Sequence, residues 1–275
     1  MNIQARLDKL TNLAAQKRQR ERTSGVLDSL KSDPVRLFKM LDLAPDQWQA
    51  DFLRQQCSDD PHKRVALACA RQTGKSTSIS LFAALRMMTA GETVAISAPA
   101  FRQSLETAQR VRRIIKQLGL VPIVKDSVTD TTLGNGGRLI VLPSSGATAR
   151  GFTLNWLAVD EAAYLPVDCD LLESLAPALA LADGGIVMCS SPGPSAGLLY
   201  EAWQSSNWQK LKVTAYQCPR ISAEFLIEQR EMLGENGFSR EYLADFVSEG
   251  AQLVTADQLA ACVRPSTDDW LEDFN

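Results

Sequence analysis

Short apolar runs alternate with helical patterns along most of the chain, from residue 34 to about residue 250. Helical spacing of apolar positions predicts helices at about 75–89 and 101–118. A Gly-Asn-Gly-Gly turn at 134–137 predicts a hairpin that leads into a strand. The predicted strands are residues 65–70, 93–99, 138–143, 155–162, 184–193 and 210–216. Since these runs are apolar at nearly every position, the pattern predicts an α/β fold with a mainly parallel sheet and helices on both faces.

The N-terminal segment, residues 1–33, has a different pattern. Leu7, Leu10 and Leu13 recur at helical spacing among many basic side chains, which predicts a basic amphipathic helix. Gly25 is predicted to break this helix, and an Asp-Pro pair at 33–34 marks the boundary of the segment. Such an arm either packs on the body as a solvated helix or contacts a partner subunit or DNA.

The C-terminal part of the body is predicted to be helical. Two helical patterns follow residue 220 and are separated by Gly234 and Gly237, which predicts a small helical lid at the end of a 34–250 domain. Residues 251–275 are acidic and are predicted to form a linker or tail.

Composition and charge exclude several classes of protein. The chain has 275 residues, 45% of them hydrophobic and 22% charged, as in ordinary globular domains. It lacks a run of about 18 apolar residues, and its N-terminus lacks the apolar core of a secretory signal. The net charge of −3 argues against a protein coated in positive charge for nucleic acid, although a local basic stripe remains compatible with it.

Cysteine and histidine usage excludes zinc sites and thiol or Ser–His catalysis. The six cysteines are scattered without a CxxC pair, and His62 is the single histidine. We interpret the cysteines as reduced, buried apolar residues of a cytosolic chain.

The first motif with chemistry is CARQTGKST, residues 69–77, which follows an apolar run and opens a helix. In the phosphate-loop pattern G-x-x-x-x-G-K-[ST], Gly74, Lys75 and Ser76 fit, and Cys69 replaces the first glycine. The chemistry tolerates this replacement, because phosphates are held by backbone N–H groups, by the lysine ammonium and by Mg²⁺ on the serine hydroxyl. The predicted nucleotide-binding residues of this turn are Arg71, Gln72, Thr73, Gly74, Lys75, Ser76 and Thr77.

The second motif is an apolar strand that ends in Asp160 and Glu161. An aspartate at this position holds, together with Ser76, the Mg²⁺ that bridges the phosphates. A glutamate beside it orients and deprotonates the attacking water. The two motifs together predict Mg²⁺-dependent ATP binding and hydrolysis.

The set of motifs resembles the ATPase half of the large terminase subunit, the DNA-packaging motor of tailed bacteriophages. Four stretches carry the resemblance: LDLAPDQWQADFLR (41–54), ARQTGKST (70–77), LPSSGATARGFTLNWLAVDEAAYLP (142–166) and SSPG (190–193). It covers roughly residues 35–250 and implies a P-loop NTPase fold of the RecA-like (ASCE) type. The implied function is a viral terminase ATPase that drives genome packaging.

The resemblance also implies roles for residues outside the two motifs. Gln49 matches a glutamine that reads the adenine edge, with Gln47 as a rival, while Trp48 is either a core aromatic or a stacking residue. Arg71 would reach the γ-phosphate within its own subunit, unless it is a surface arginine. Arg150 would act as a finger on a neighbour's ATP, unless it is a salt-bridged loop residue. The residues that couple hydrolysis to motion would be Ser190, Ser191, Pro192 and Gly193.

The partners implied by the resemblance are double-stranded DNA, held mainly through its phosphates, the portal protein and the small terminase subunit. The chain would form a homo-oligomeric ring on the portal, in the host cytoplasm and transiently at the procapsid, without a membrane partner. Large terminases continue into a nuclease domain, for which this chain has no room after its ATPase body. We therefore expect no nuclease activity from it.

Two alternatives remain. The Asp-Glu-Ala-Ala sequence at 160–163 resembles a DEAD-type motif, which favours a helicase-like, nucleic-acid-stimulated ATPase. A nucleotide-binding adaptor that does not hydrolyse ATP is the other. The intact set of Lys75, Ser76, Asp160 and Glu161 argues against it.

Overall fold

The computed structural model describes residues 17, 21–144, 152–193 and 195–247. The helices are α1 (21–32), α2 (Arg36–Met40), α3 (Gln47–Gln56), α4 (Lys75–Leu85), α5 (Phe101–Leu118), α6 (Leu171–Ala180), α7 (Leu198–Gln204) and α8 (Ala223–Tyr242). The strands are β1 (Arg64–Cys69), β2 (Thr93–Ser97), β3 (Ile123–Asp126), β4 (Asp130–Leu133), β5 (Arg138–Val141), β6 (Trp156–Asp160), β7 (Gly185–Ser190) and β8 (Gln209–Val213). A π-helical turn, Arg86–Ala90, extends α4.

The strands form one eight-stranded sheet in the order β3-β4-β5-β2-β6-β7-β1-β8. Strands β5, β2, β6, β7, β1 and β8 pair in parallel, whereas β4 is antiparallel to both of its neighbours. The predicted hairpin is β4–β5, and β3 extends it. The predicted α/β P-loop fold with a mainly parallel sheet is confirmed.

Both faces of the sheet are covered by helices because alternate residues of each central strand point to opposite sides. On β1, Val65 and Leu67 belong to a core shared with α3, α4 and α5. Ala66, between them, belongs to a second core shared with α6 and α7. The near-continuous apolar runs of the sequence therefore reflect strands buried on two faces.

The parallel strands bring three loops to one edge of the sheet. Strand β7 lies between β6 and β1, so the turn after β1, the acidic pair after β6 and the serines after β7 follow three adjacent strands. Ligands of open α/β sheets bind at the carboxyl ends of the strands. The topology places the predicted chemistry at this edge.

The structure also contains elements that the apolar pattern did not predict, namely α2, α3, β3, α6 and α7. The predicted break at Gly25 is wrong, because α1 continues through that residue to position 32. Helix α6 is apolar around most of its surface and contains Pro177, which weakens its helical signal. At the C-terminal end, α8 is interrupted at Gly234, whose φ of 67° and ψ of 173° are not helical. This agrees with two helical pieces separated at that glycine.

The predicted division into arm, ATPase domain and tail stays a prediction. Most of the N-terminal arm and the whole of 251–275 lie outside the described residues. Among the residues that are described, none of the helices is both long and apolar enough to cross a membrane.

Candidate active site

The phosphate loop connects the end of β1 to the start of α4. Gly74 is the N-cap of α4 and has a φ of 89°, in the left-handed region that favours glycine. A Cβ atom there would lie 2.7 Å from Nε2 of Gln49, so the position also lacks space. Thr73 closes the turn by donating its hydroxyl to the carbonyl of Ala70 at 2.9 Å. The first N–H groups of α4, at Lys75 and Ser76, have no partner within the helix and are available to an anion.

Lys75 is paired with the acidic residue expected to act as the base. Its Nζ lies 3.2 Å from Oε1 of Glu161 and 3.4 Å from Oγ of Ser191, and its side chain is 11% exposed. Burial is the largest single influence and acts to lower the pKa of Lys75, but the attraction and hydrogen bond of Glu161, together with Cys189 and Asp160, raise the pKa above its ordinary value. The lysine is therefore a cation at neutral pH, and a phosphate can take the place of Glu161 as its partner.

Asp160 is buried and held by three donors. Oδ2 accepts from the Thr107 hydroxyl at 3.0 Å, and Oδ1 accepts from the Glu161 N–H at 3.1 Å and from the Cys189 thiol at 3.5 Å. Thr107 comes from α5, so the orientation of the carboxylate depends on a helix outside both motifs. These bonds fix the carboxylate at the tip of β6.

The residues present fit a magnesium ion bound together with phosphates. Mg²⁺ takes oxygen ligands and is held by one or two carboxylates plus phosphate oxygens and water. Asp160 and the Ser76 hydroxyl, in the first turn of α4, supply ligands of that kind. The described residues contain no group of three or more His, Cys, Asp or Glu side chains that could hold a metal alone. The donor set therefore suits a metal that arrives with a nucleotide.

Glu161 connects the acidic motif to the serines after β7. It has a φ of 55°, a left-handed conformation that is unfavourable for a residue with a side chain. Its Oε2 accepts from the Ser190 hydroxyl at 3.2 Å. With Ser191 near Lys75, two of the four predicted coupling residues touch the predicted catalytic groups. The other two, Pro192 and Gly193, are buried next to them.

A cavity of about 730 Å³ opens between these groups. Five residues of the predicted motifs line it: Arg71, Gln72, Lys75, Glu161 and Ser191. The other lining residues are Pro99, Ala100, Gln103 and Tyr164. Its volume lies in the range of small-molecule sites. The acid, the lysine and the phosphate loop therefore share one accessible space.

The predicted adenine residues lie on the other side of the loop. Gln49 is buried and donates from Nε2 to the Ser78 hydroxyl at 3.1 Å and to the Gly74 carbonyl at 3.4 Å. Its Oε1 accepts from the Asp46 N–H at 3.0 Å. Of the two roles considered for Trp48, core aromatic and stacking residue, the structure shows the first, because its side chain is part of the hydrophobic core. Gln47 instead bonds to Asp51 on the exposed side of α3.

The two predicted arginines have different outcomes. Arg71 lines the cavity and forms an ion pair with Glu241 of α8. Arg150 lies outside the described residues, so its role as a finger stays a prediction. The remaining loop residue, Thr77, lies in the first turn of α4.

Besides the four additional residues of the cavity lining, three side chains that hold the loop or the acid in place were absent from the sequence-based prediction: Thr107, Arg220 and Glu241. Arg220 donates from Nη2 to Oδ2 of Asp46 at 2.6 Å and to the carbonyl of Thr73 at 3.4 Å, which joins the loop to α3. Each is far from the motifs along the chain, and none stands in a recognisable pattern. Only the tertiary structure brings them to the site.

A profile of the family "RNA cytidine acetyltransferase NAT10/TcmA, helicase domain" matches residues 66–182. A curated relative, the tRNA(Met) cytidine acetyltransferase TmcA of Haloferax volcanii, is 33% identical over 123 residues. That alignment covers 45% of this chain and 16% of the relative. The matched region contains the phosphate loop and the acidic pair.

Solved structures of low sequence identity share the fold. The ATPase domain of the Thermus phage P74-26 large terminase superposes with a TM-score of 0.60 at 19% identity, covering 76% of this chain and 97% of that one. The large terminase of bacteriophage HK97 gives a TM-score of 0.60 at 15% identity, covering 74% and 51% of the two chains. At these identities the likeness shows a P-loop ATPase fold and leaves the function open.

The sequence matches overturn the expected DNA-packaging function. Both matches are to RNA cytidine acetyltransferases, and the family model is that of their helicase domain. The expected viral terminase activity is wrong, and so are double-stranded DNA, the portal, the small subunit and the packaging ring as partners, and the procapsid portal as location. The physical reason is that the motifs report phosphate and magnesium chemistry, which P-loop ATPases with different partners have in common. The comparisons support an enzyme with an ATPase or helicase-like domain.

Proposed function

We propose that this chain is a Mg²⁺-dependent, helicase-like ATPase whose turnover is stimulated by RNA. The observation that carries the proposal is the cluster at the strand ends, where Lys75 lies 3.2 Å from Glu161 beside the buried Asp160. A structural ion pair has no need of a phosphate loop and a cavity of about 730 Å³ around it. A nucleotide site has both.

Each residue of the cluster has a distinct role in the proposed reaction. The Lys75 ammonium and the N–H groups at the start of α4 bind the β- and γ-phosphates. Ser76 and Asp160 would hold Mg²⁺, which neutralises charge on the phosphates when it is bound. Thr107 orients Asp160 through its 3.0 Å hydrogen bond. This set binds and polarises the phosphates without any covalent contribution from the protein.

Glu161 is the proposed general base. Its carboxylate lies on the cavity wall and is oriented by Ser190 at 3.2 Å. Once a γ-phosphate has replaced it at Lys75, the carboxylate is free to orient a water and accept its proton. Ser190 and Ser191 then contact the two groups whose partners change during the reaction, which supports their proposed role in coupling.

RNA is the proposed nucleic acid because the matched family and the curated relative are named for RNA and tRNA modification. A recess of about 430 Å³ is lined by Arg112, Arg113 and Lys116 of α5 and by Asp126. Asp126 pairs with Lys116 at 2.6 Å and with Arg112 at 3.7 Å, so the exposed Arg113 carries the positive charge most accessible to a phosphate. The excess of cations in the recess contrasts with the net charge of −3 of the chain. Such a surface binds phosphates without reading sequence.

The test is ATP hydrolysis by the full chain, alone, with single-stranded RNA and with double-stranded DNA, in Mg²⁺ and in EDTA. We expect turnover that requires Mg²⁺ and rises more with RNA than with DNA. Lys75→Ala should abolish nucleotide binding, whereas Lys210→Ala, which removes an exposed lysine of β8, should leave it unchanged.

Two results would contradict the proposal in different ways. Nucleotide binding without turnover under every condition would identify an adaptor. Equal turnover with and without RNA would remove the nucleic-acid part and leave a simple ATPase.

A further inference from the structure

Arg71 of the phosphate loop is bound twice to the last turn of α8. Its backbone N–H donates to the carbonyl of Glu241 at 2.9 Å, and its guanidinium forms an ion pair with the Glu241 carboxylate. The second guanidinium contact, from Nη2 to Oε1, measures 3.5 Å. The two residues are 170 positions apart in the chain. The proposed ATP-binding loop is thus bonded to a helix that is far from it along the chain.

The two partners differ in how strongly they need each other. The Glu241 side chain is 10% exposed, and a carboxylate so buried requires a cation. A second cation is at hand, because Nε of Arg240 lies 3.2 Å from Oε1 of Glu241. The Arg71 side chain is 60% exposed and lines the cavity with Lys75 and Glu161. Glu241 can therefore release Arg71 without becoming an unpaired buried charge.

We propose that Glu241 is a positioning residue that competes with the terminal phosphate of ATP for Arg71. The inference rests on the proposed ATPase function. A γ-phosphate offers the guanidinium two oxygens in the geometry that arginine prefers. ADP lacks that group and leaves the Arg71–Glu241 pair intact. Binding of ATP, and not of ADP, must then break the pair, so Glu241 sets the preference between the two nucleotides.

The experiment is a double-mutant cycle on nucleotide affinity in the full chain, with ADP and a non-hydrolysable ATP analogue as probes. Glu241→Gln keeps the backbone bond and the shape but removes the competing charge. We expect it to tighten binding of the ATP analogue by about twofold to fivefold, the size of effect of a partly exposed ion pair, and to leave ADP binding unchanged. In an Arg71→Ala background the same change should have no effect. Glu235→Gln, at an exposed ion pair of the same helix, is the matched control.

Several outcomes would overturn the inference. Equal effects on ADP and on the ATP analogue would mean that Glu241 acts on loop structure. If Glu241→Gln still tightened binding of the ATP analogue in the Arg71→Ala background, Glu241 would act through its own negative charge and not through Arg71. If Glu241→Gln fails to fold, Glu241→Asp, which keeps the charge on a shorter side chain, should still tighten the ATP analogue selectively, and an equal effect on ADP would count against the inference.

The proposed function and the inference fail differently. Normal turnover with no change in nucleotide preference removes only the role of Glu241. A wild-type chain that binds neither nucleotide removes both.

Discussion

Two groups of ion pairs lie at different parts of the same sheet, and they have different surroundings. At the carboxyl edge, Lys75 and Glu161 face a cavity of about 730 Å³. In the antiparallel hairpin, Asp130 accepts two bonds from Arg138, at 2.9 and 2.8 Å, and one from Lys125 at 2.6 Å. The first pair is accessible to a ligand that can replace one partner. The second pair also lines a recess, of about 450 Å³, but both oxygens of its carboxylate already accept hydrogen bonds from cations of β3 and β5.

An ion pair alone does not identify a functional site. Hydrogen bonds from Arg138 lower the pKa of Asp130 to about 2. The perturbation at Asp130 reports a closed structural pair. What distinguishes the carboxyl edge is that the N–H groups at the start of α4 lie beside the charges.

The largest effect is expected at the open pair. Glu161→Gln should lower the turnover number by about 100-fold to 10,000-fold, because the amide cannot accept the proton of the attacking water. ATP binding should be retained, since Lys75 and the loop are unchanged. Single-turnover hydrolysis and equilibrium binding measure the two properties separately. Glu173→Gln, at an exposed glutamate of α6, is the control, and unchanged turnover in Glu161→Gln would remove the base assignment.

Removing the charge of Asp130 should lower the stability of the fold and leave activity unchanged. Asp130→Asn should lower the free energy of unfolding by about 2 kcal/mol, from a shift in pKa from 3.8 to about 2. Basal ATP hydrolysis should be unaffected, because the hairpin lies at the far end of the sheet. Urea unfolding and an ATPase assay test the two statements. A loss of activity in a folded variant would show that the two regions are coupled.

The same pair predicts a pH dependence. The pKa of Asp130 is lowered in the folded protein, so the unfolded chain binds the proton first as the pH falls. The stabilisation is present above about pH 4, is lost as the pH falls toward 2, and is gone below that value. Unfolding curves of the wild type and of Asp130→Asn should therefore converge at the acid end. A constant gap between them would mean that the carboxylate stabilises by packing and not by charge.

The cationic recess beside the hairpin should affect RNA and not the basal reaction. Arg113→Glu should weaken RNA binding by about threefold to tenfold and make its salt dependence shallower by about one phosphate contact. RNA titrations at several salt concentrations measure both. Arg54→Glu, which alters an arginine of similar exposure on α3, is the control. Equal losses in the two variants would indicate a general charge effect.

An effect of the same size is expected at Thr107, which supports Asp160 from α5. Thr107→Val removes the 3.0 Å hydrogen bond to Asp160 and keeps the shape of the side chain. We expect the Mg²⁺ concentration for half-maximal turnover to rise by about threefold to tenfold, the usual range for one hydrogen bond. Thr89→Val is matched, since that hydroxyl bonds to the carbonyl of Leu85 in its own helix. A change in turnover at saturating Mg²⁺ without a change in the Mg²⁺ requirement would place Thr107 outside the metal site.

The strands and the two motifs were predictable because their signals are local. The apolar run 65–70 predicts a strand buried on both faces without any knowledge of its neighbours. A strand–turn–helix segment with Gly74 and Lys75 in its turn is typical of a phosphate site. Helix α6 was missed because an apolar stretch with an internal proline fits neither period. The placement of Gln49 beneath Gly74, with its amide bonded inside the protein, was also beyond the sequence, since it depends on how α3 packs against the loop.

The α/β class and the positions of the phosphate loop at Lys75 and of the acidic pair at Asp160 and Glu161 were readable in the sequence, because strand burial and phosphate chemistry demand particular residues at short spacing. The partner molecule was not readable there, since motifs that suit phosphate and magnesium do not depend on what a P-loop ATPase acts on. The contacts of Thr107 with Asp160 and of Glu241 with Arg71 became visible in the folded chain alone. These contacts join residues far apart in the chain, and such contacts are set by the packing of helices on the sheet.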